Sequence, residues 1–332
     1  MSNEILELHD YLREKKTACA YSPPFFIKPL LKRMEEKDST QSAFRRNFSL
    51  ERNVSIEWYR IQNCKIMYTN KKGGLYMSLA YNEYGNLRAP LLIFIHGGGV
   101  GGWMWDKQVR YFSNYHVIVP ELNSPGSASS FTIAACADCL ISLIEEKRQT
   151  KPVIAIGFSL GAQVLLAALG KKPDLVDYAM LNSALVKPVP FKQALIKSAV
   201  FFQPLAKSRS FSRIQAKSLY IGEAYYSAYY RDSSRIKKQE LSRLLSENMS
   251  FALPENFKTA SADILVTAGE QERGLIKASM RDIVKNNPNC RGIVFPDIGH
   301  GISLAKPELF NCVIDRWLSD RAFPGQVMEL ND

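Results

Sequence analysis

From about residue 65 onward, short apolar runs alternate with longer stretches in which apolar residues recur every three or four positions. The runs predict strands at Lys65–Thr69, Leu75–Tyr81, Leu91–Ile95, His116–Pro120, Val153–Ile156, Tyr178–Asn182, Ile264–Ala268 and Gly292–Phe295. Lys71-Lys72-Gly73-Gly74 between the first two is a hairpin signal. After Leu91 the helical segments fall between strands, and several runs are apolar throughout. Strands buried on both faces read this way, so the expectation is α/β architecture, a mostly parallel sheet flanked by helices.

Two stretches break the alternation. Residues 1–60 are polar and charged, with apolar positions at helical spacing (Ile5, Leu8, Tyr11, Leu12) and an interruption at Tyr21-Ser22-Pro23-Pro24. They read as an N-terminal, mostly helical extension whose task the sequence does not reveal. Residues 186–258 fall between the sixth and seventh predicted strands. There Phe191, Ala194, Leu195 and Ala199, then Leu241, Leu244, Leu245 and Met249, recur at helical spacing. The expected organisation is an extension (1–60), a core (61–185 and 259–325) and a helical insertion (186–258). At 332 residues and 46% hydrophobic content, the chain can bury one large core with such additions.

Three segments carry candidate chemistry. Gly157-Phe158-Ser159-Leu160-Gly161 directly follows the run Val153–Ile156 and precedes good helix formers, a context for a sharp strand-to-helix turn that projects a serine hydroxyl. Leu91–Ile95 runs into His96-Gly97-Gly98-Gly99, a loop able to present backbone N–H groups to a ligand. Near the C-terminus, Gly292–Phe295 leads into Pro296-Asp297-Ile298-Gly299-His300-Gly301, one histidine between two glycines. Between them, Ile264–Ala268 is followed by Gly269-Glu270-Gln271-Glu272.

In this order of serine, acid and histidine, each after a strand, the chain resembles the α/β-hydrolase superfamily over roughly residues 64–320. The resemblance implies an α/β-hydrolase fold in the lid-bearing, serine-esterase-like branch, with 186–258 as the lid. It matches Ser159 to the nucleophile, His300 to the base, Glu272 (or Glu270, one turn away) to the acid, and the Gly98 and Leu160 N–H groups to the oxyanion hole. The activity implied is hydrolysis of a carboxylic ester or related acyl compound, a thioester or lactone, on a small-molecule substrate without cofactor or metal. C–C bond hydrolases and peptidases share the same triad, and a non-catalytic ligand-binding protein keeps the same fold. Serine needs a base within hydrogen-bond reach. Histidine, with an ordinary pKa of ~6.5, can take the proton and return it to the leaving group, and a carboxylate fixes its tautomer.

The substrate pocket is expected to involve Phe158, Trp103 and Trp105, with Phe202 and Tyr226 either roofing it or filling the insertion's own core. His116 reads as packing, His96 as a loop-holding residue and His9 as a surface residue. Cys136 and Cys139 read as buried small hydrophobes rather than a redox or zinc pair. No apolar stretch reaches the ~18–20 residues of a spanning helix. The expectation is a reduced, soluble, cytoplasmic protein of unspecified oligomeric state.

The net charge of +11 is uneven. Residues 187–258 carry 13 Lys/Arg against 5 Asp/Glu and residues 1–72 carry 14 against 9, leaving the rest near neutral. This reads either as a solvated lysine-rich surface or as attraction for anionic substrates and peripheral contact with anionic surfaces. No motif for nucleic-acid recognition accompanies the charge, and no nucleic-acid partner is expected.

Overall fold

The structure, a computed structural model, describes residues 79–122, 131–320 and 322–330, with the backbone alone at 68–69 and 75–76. The expected N-terminal extension, with His9, lies outside the described residues. Residues 55–307 and 325–332 belong to one compact unit and 308–324 to another. The second unit contributes the helix Pro307–Leu318 and Cys312, which is disulfide-bonded. That bond departs from the reduced state expected of the cysteines; spacing along a chain does not reveal such pairings.

In the first unit, β1 (Tyr68–Thr69) and β2 (Leu75–Tyr76) pair antiparallel, in keeping with the hairpin signal between them. The main sheet comprises β3 (Ala80–Gly85), β4 (Leu91–Ile95), β5 (His116–Glu121), β6 (Val153–Phe158), β7 (Tyr178–Asn182), β8 (Asp263–Gly269), β9 (Cys290–Phe295) and β10 (Met328–Glu329). Its order is β10-β9-β8-β7-β6-β4-β5-β3. Strands β4 to β9 pair parallel, while β3 and β10 run antiparallel along the edges. Every residue of β4 and β6 is buried, which is why these strands are apolar throughout rather than alternating.

The expected strand Leu75–Tyr81 spans β2 and the first two residues of β3, which runs on to Gly85. The inward positions of β3 are Tyr81 and Glu83, and the buried carboxylate disguises the alternation. Glu83 Oε1 lies 2.6 Å from His116 Nε2, and His116 Nδ1 lies 2.9 Å from Lys151 Nζ, which also donates to Leu87 O at 3.0 Å. His116 is thus a buried structural residue, as its position predicted.

Helices α1 (Asp106–Tyr111), α2 (Ile133–Arg148), α3 (Leu160–Lys171) and α8 (Gly274–Asn286) connect the parallel strands. Thr132 caps α2, its hydroxyl accepting from Ala135 N at 3.0 Å. Between β7 and β8 come four further helices, α4 (Lys192–Phe202), α5 (Arg209–Ser218), α6 (Glu223–Arg235) and α7 (Lys238–Ser250), across the stretch where the apolar periodicity placed an insertion. Burial pushes the Cys136 thiol up to about 12 and also raises that of Cys139, so neither has thiolate character.

Candidate active site

The carboxyl ends of β4, β6, β8 and β9 share one edge of the sheet, and the loops that leave them carry the candidate groups. Ser159 lies between β6 and α3 with φ 52° and ψ −113°, outside the ordinary regions for a side-chain-bearing residue. Glycine is required on both sides. A Cβ on Gly157 would lie 2.6 Å from Gly161 O, and one on Gly161 would lie 2.3 Å from Ile95 O. Ser159 N donates to Asn182 O at 2.8 Å, while its hydroxyl has no hydrogen-bond partner among the described residues. Leu160 opens α3, so its N–H has no acceptor within the helix and points from the positive end of the helix dipole.

The two glutamates after β8 separate cleanly. Glu272 is buried and its Oε2 lies 3.0 Å from His300 Nδ1; Oε1 accepts from the Ser183 hydroxyl. Glu270 is exposed and instead accepts from Asp297 N at 3.0 Å, tying the two loops together. A carboxylate on Nδ1 assigns the proton to that nitrogen and leaves Nε2 as the ring's acceptor. The imidazole packs against Phe158, ring centroids 4.7 Å apart, which sets it beside the residue preceding Ser159.

On the other side of the elbow, His96 is fully buried. Its Nδ1 lies 2.8 Å from Gly97 O and its Nε2 accepts from Leu122 N at 2.9 Å, so it holds the glycine loop, as expected. Because Nε2 is already an acceptor, its 3.4 Å approach to Glu121 Oε2 is not a charged pair. Glu121 fastens the far end of the loop, accepting from Gly102 N at 3.2 Å. Gly98 faces Leu160 and helix α7: a Cβ there would lie 3.2 Å from Leu244 Cδ2 and 3.5 Å from Leu160 Cδ2.

The expected pocket residues divide. Phe158 is at the site. Trp103 donates from its indole to Asp232 at 2.8 Å, stacks on Tyr225 at 6.0 Å, and lines a cavity of about 530 Å³ that neither Ser159 nor His300 lines. Trp105 is a core side chain stacked on Phe94 at 5.0 Å. Phe202 stands half-exposed on α4, and Tyr226 is buried with its hydroxyl on Arg209 O at 2.9 Å, inside the insertion. Asn182, Ser183, Glu121 and Tyr220 also belong to this region and carry no motif in the sequence. The available signal for the first two was a polar pair at the carboxyl end of a buried parallel strand.

The sequence profile of the alpha/beta hydrolase family matches residues 92–311. The chain belongs to the alpha/beta hydrolase family. RutD of Caulobacter sp. (strain K31), named as a carbamate hydrolase, is 20% identical over 70% of this hydrolase and 91% of its own length. Lipase 1 of Psychrobacter immobilis is 23% identical over 67% and 74% respectively. The thermophilic esterase of Thermogutta terrifontis superposes with a TM-score of 0.61 at 20% identity, covering 78% of this chain and 98% of its own.

In this hydrolase the helical insertion is bound to the loops of the site. Asn248 exchanges hydrogen bonds with Gln163 of α3, at 2.9 Å each way, and Gln163 also donates to Leu185 O at 2.7 Å. Tyr220 accepts from Gly299 N at 3.0 Å, directly before His300. With Leu244 over Gly98 and Asp232 on Trp103, α6, α7 and the segment before α6 each contact the edge that carries the candidate groups. Among the described residues no helix is long and apolar enough to cross a membrane.

Proposed function

We propose that Ser159, His300 and Glu272 form a catalytic triad that hydrolyses a carboxylic ester or related acyl compound (thioester or lactone), with residues 186–258 as the lid. The observation that carries this reading is the 3.0 Å contact of a buried carboxylate with His300 Nδ1 beside a strained elbow serine. The reaction requires Ser159 Oγ to meet His300 Nε2, a contact that in free enzymes is often long and tightens in the substrate complex. Oγ attacks the acyl carbon while Nε2 takes its proton, and Glu272 steadies the resulting imidazolium. The oxyanion is received by the Leu160 and Gly98 N–H groups, each such donor being worth about 10²–10³ in kcat. His300 then protonates the leaving group, and water releases the acid by the same steps in reverse. No cofactor enters. The names of two relatives, a lipase and a carbamate hydrolase, are in keeping with this class.

A fluorophosphonate should label Ser159, and Ser159→Ala should lose both the label and p-nitrophenyl acetate hydrolysis. Glu272→Gln should lower kcat by about 10³–10⁴. Glu270→Gln, which removes only the charge from a loop tie and leaves an acceptor oxygen, should stay within about tenfold. A protein that neither labels nor turns over any ester in a chain-length series is a binding protein on this fold, and the proposal then fails.

A further inference from the structure

Nine large apolar side chains stand exposed among the described residues, and six of them fall between positions 191 and 214: Phe191, Leu195, Phe201, Phe202, Leu205 and Ile214. Leu195 and Phe202 share one stripe of α4 by the i, i+7 rule, away from the buried Ile196, and Phe191 directly precedes the helix. The Phe201 and Phe202 rings meet edge to face at 5.0 Å. Phe191 is the extreme case. It is 88% exposed, and its backbone sits at φ 53°, a left-handed conformation that a bulky residue adopts only at a cost. Burial of this side chain within the chain does not offset that cost.

The same stretch is strongly basic. Residues 187–222 contain seven Lys/Arg and no Asp/Glu. Lys187 pairs with Asp282 and Arg213 with Glu223. Lys192, Lys197, Lys207, Arg209 and Lys217 make no ion pair with a carboxylate among the described residues. Exposed aromatic and aliphatic groups interleaved with unneutralised cations match a surface that is apolar beneath and anionic above. A second copy would oppose this cationic face with its own. The N-terminal 72 residues, with 14 basic against 9 acidic side chains, also carry the wrong sign to cover it.

We propose that the outer face of α4, α5 and the turn between them docks this hydrolase on an anionic lipid surface. Phe191 and Phe201 enter at headgroup level, and Lys197, Lys207 and Lys217 meet lipid phosphates. This docking is independent of the chemistry at Ser159.

The test is co-sedimentation of the full chain with large unilamellar vesicles, either of phosphatidylcholine alone or of equal parts phosphatidylcholine and phosphatidylglycerol. The wild type should bind the mixed vesicles, bind phosphatidylcholine weakly, and release as salt is raised. Each cation near such a surface contributes about fivefold, so the double variant Lys197→Glu/Lys207→Glu should bind at least about 25-fold more weakly. Phe191→Ser and Phe201→Ser should each weaken binding about tenfold. Because all four positions are exposed, far-UV circular dichroism and melting temperature should stay at wild-type values, showing that the losses are not unfolding. The proposal is overturned by absence of binding to the mixed vesicles, or by binding that the substitutions do not change. It is equally overturned by a concentration-dependent dimer that Phe201→Ser abolishes while vesicles are ignored.

Discussion

Ser183 occupies a backbone conformation, φ 57°, in which glycine would be cheaper by roughly 1 kcal/mol or more, and it is buried there. What the serine adds is its hydroxyl, which donates to the Glu272 oxygen that His300 leaves free. In the proposed reaction Ser183 is therefore a positioning residue. Losing one hydrogen bond to a charged group, worth ~1.5–3 kcal/mol, should lower kcat by about 10- to 150-fold in Ser183→Ala with KM unchanged. Ser183→Gly should lose as much activity yet be more stable than Ser183→Ala by ~1 kcal/mol, because it relieves the backbone. Equal stabilities, or an active glycine variant, would refute this account. The pair also marks how far the sequence could be read at this scale. Ser159 and His300 announce themselves through flanking glycines and preceding strands. Glu270 and Glu272 have the same chemistry two positions apart, and only burial separates them. Ser183 carries only the weak signature of a polar residue ending a buried strand, since its importance comes from a partner 89 positions away.

Elements show a similar division. The parallel strands and the helical insertion were legible because burial on both faces, or on one helical stripe, writes a period into the sequence. Strand β3 was legible only at its start because a buried Glu83 occupies a core-facing position, and β10 was missed because two residues carry no period. How the insertion attaches was not legible at all, because its ties are single side-chain contacts over long separations. One of them can be cut without disturbing shape: Trp103→Phe keeps the aromatic stack on Tyr225 but deletes the N–H that reaches Asp232. A charge-assisted bond of ~1.5–3 kcal/mol should then be missing, so amide hydrogen exchange in α6 should speed up about 10- to 150-fold while β4 and β6 keep their protection. Exchange unchanged in α6 would mean that the stack alone holds the helix.

For the molecule as a whole, acid stability should trace to the edge strand. The hydrogen bond with His116 holds the Glu83 carboxyl below its ordinary value of 4.5, against the upward pull of burial and with help from Lys147. A carboxyl whose folded pKa is depressed contributes stability above its unfolded value and loses it as pH falls through the folded one. The stability difference between wild type and Glu83→Gln should therefore be ~1–3 kcal/mol near pH 6 and shrink steadily below about 4.5, as measured by urea unfolding. A difference independent of pH would assign the effect to packing alone.

In the proposed reaction, the tie between Tyr220 and Gly299 would constrain which substrates this hydrolase can turn over. A molecule bulky enough to lift the segment before α6 pulls on the residue beside the imidazole, so opening wide and keeping the base aligned are opposed. Discrimination by size is thus expected to appear in turnover as well as in affinity. On the proposed chemistry an overlarge ester would be held yet processed slowly, because the act of fitting it slackens the imidazole assigned to accept the proton.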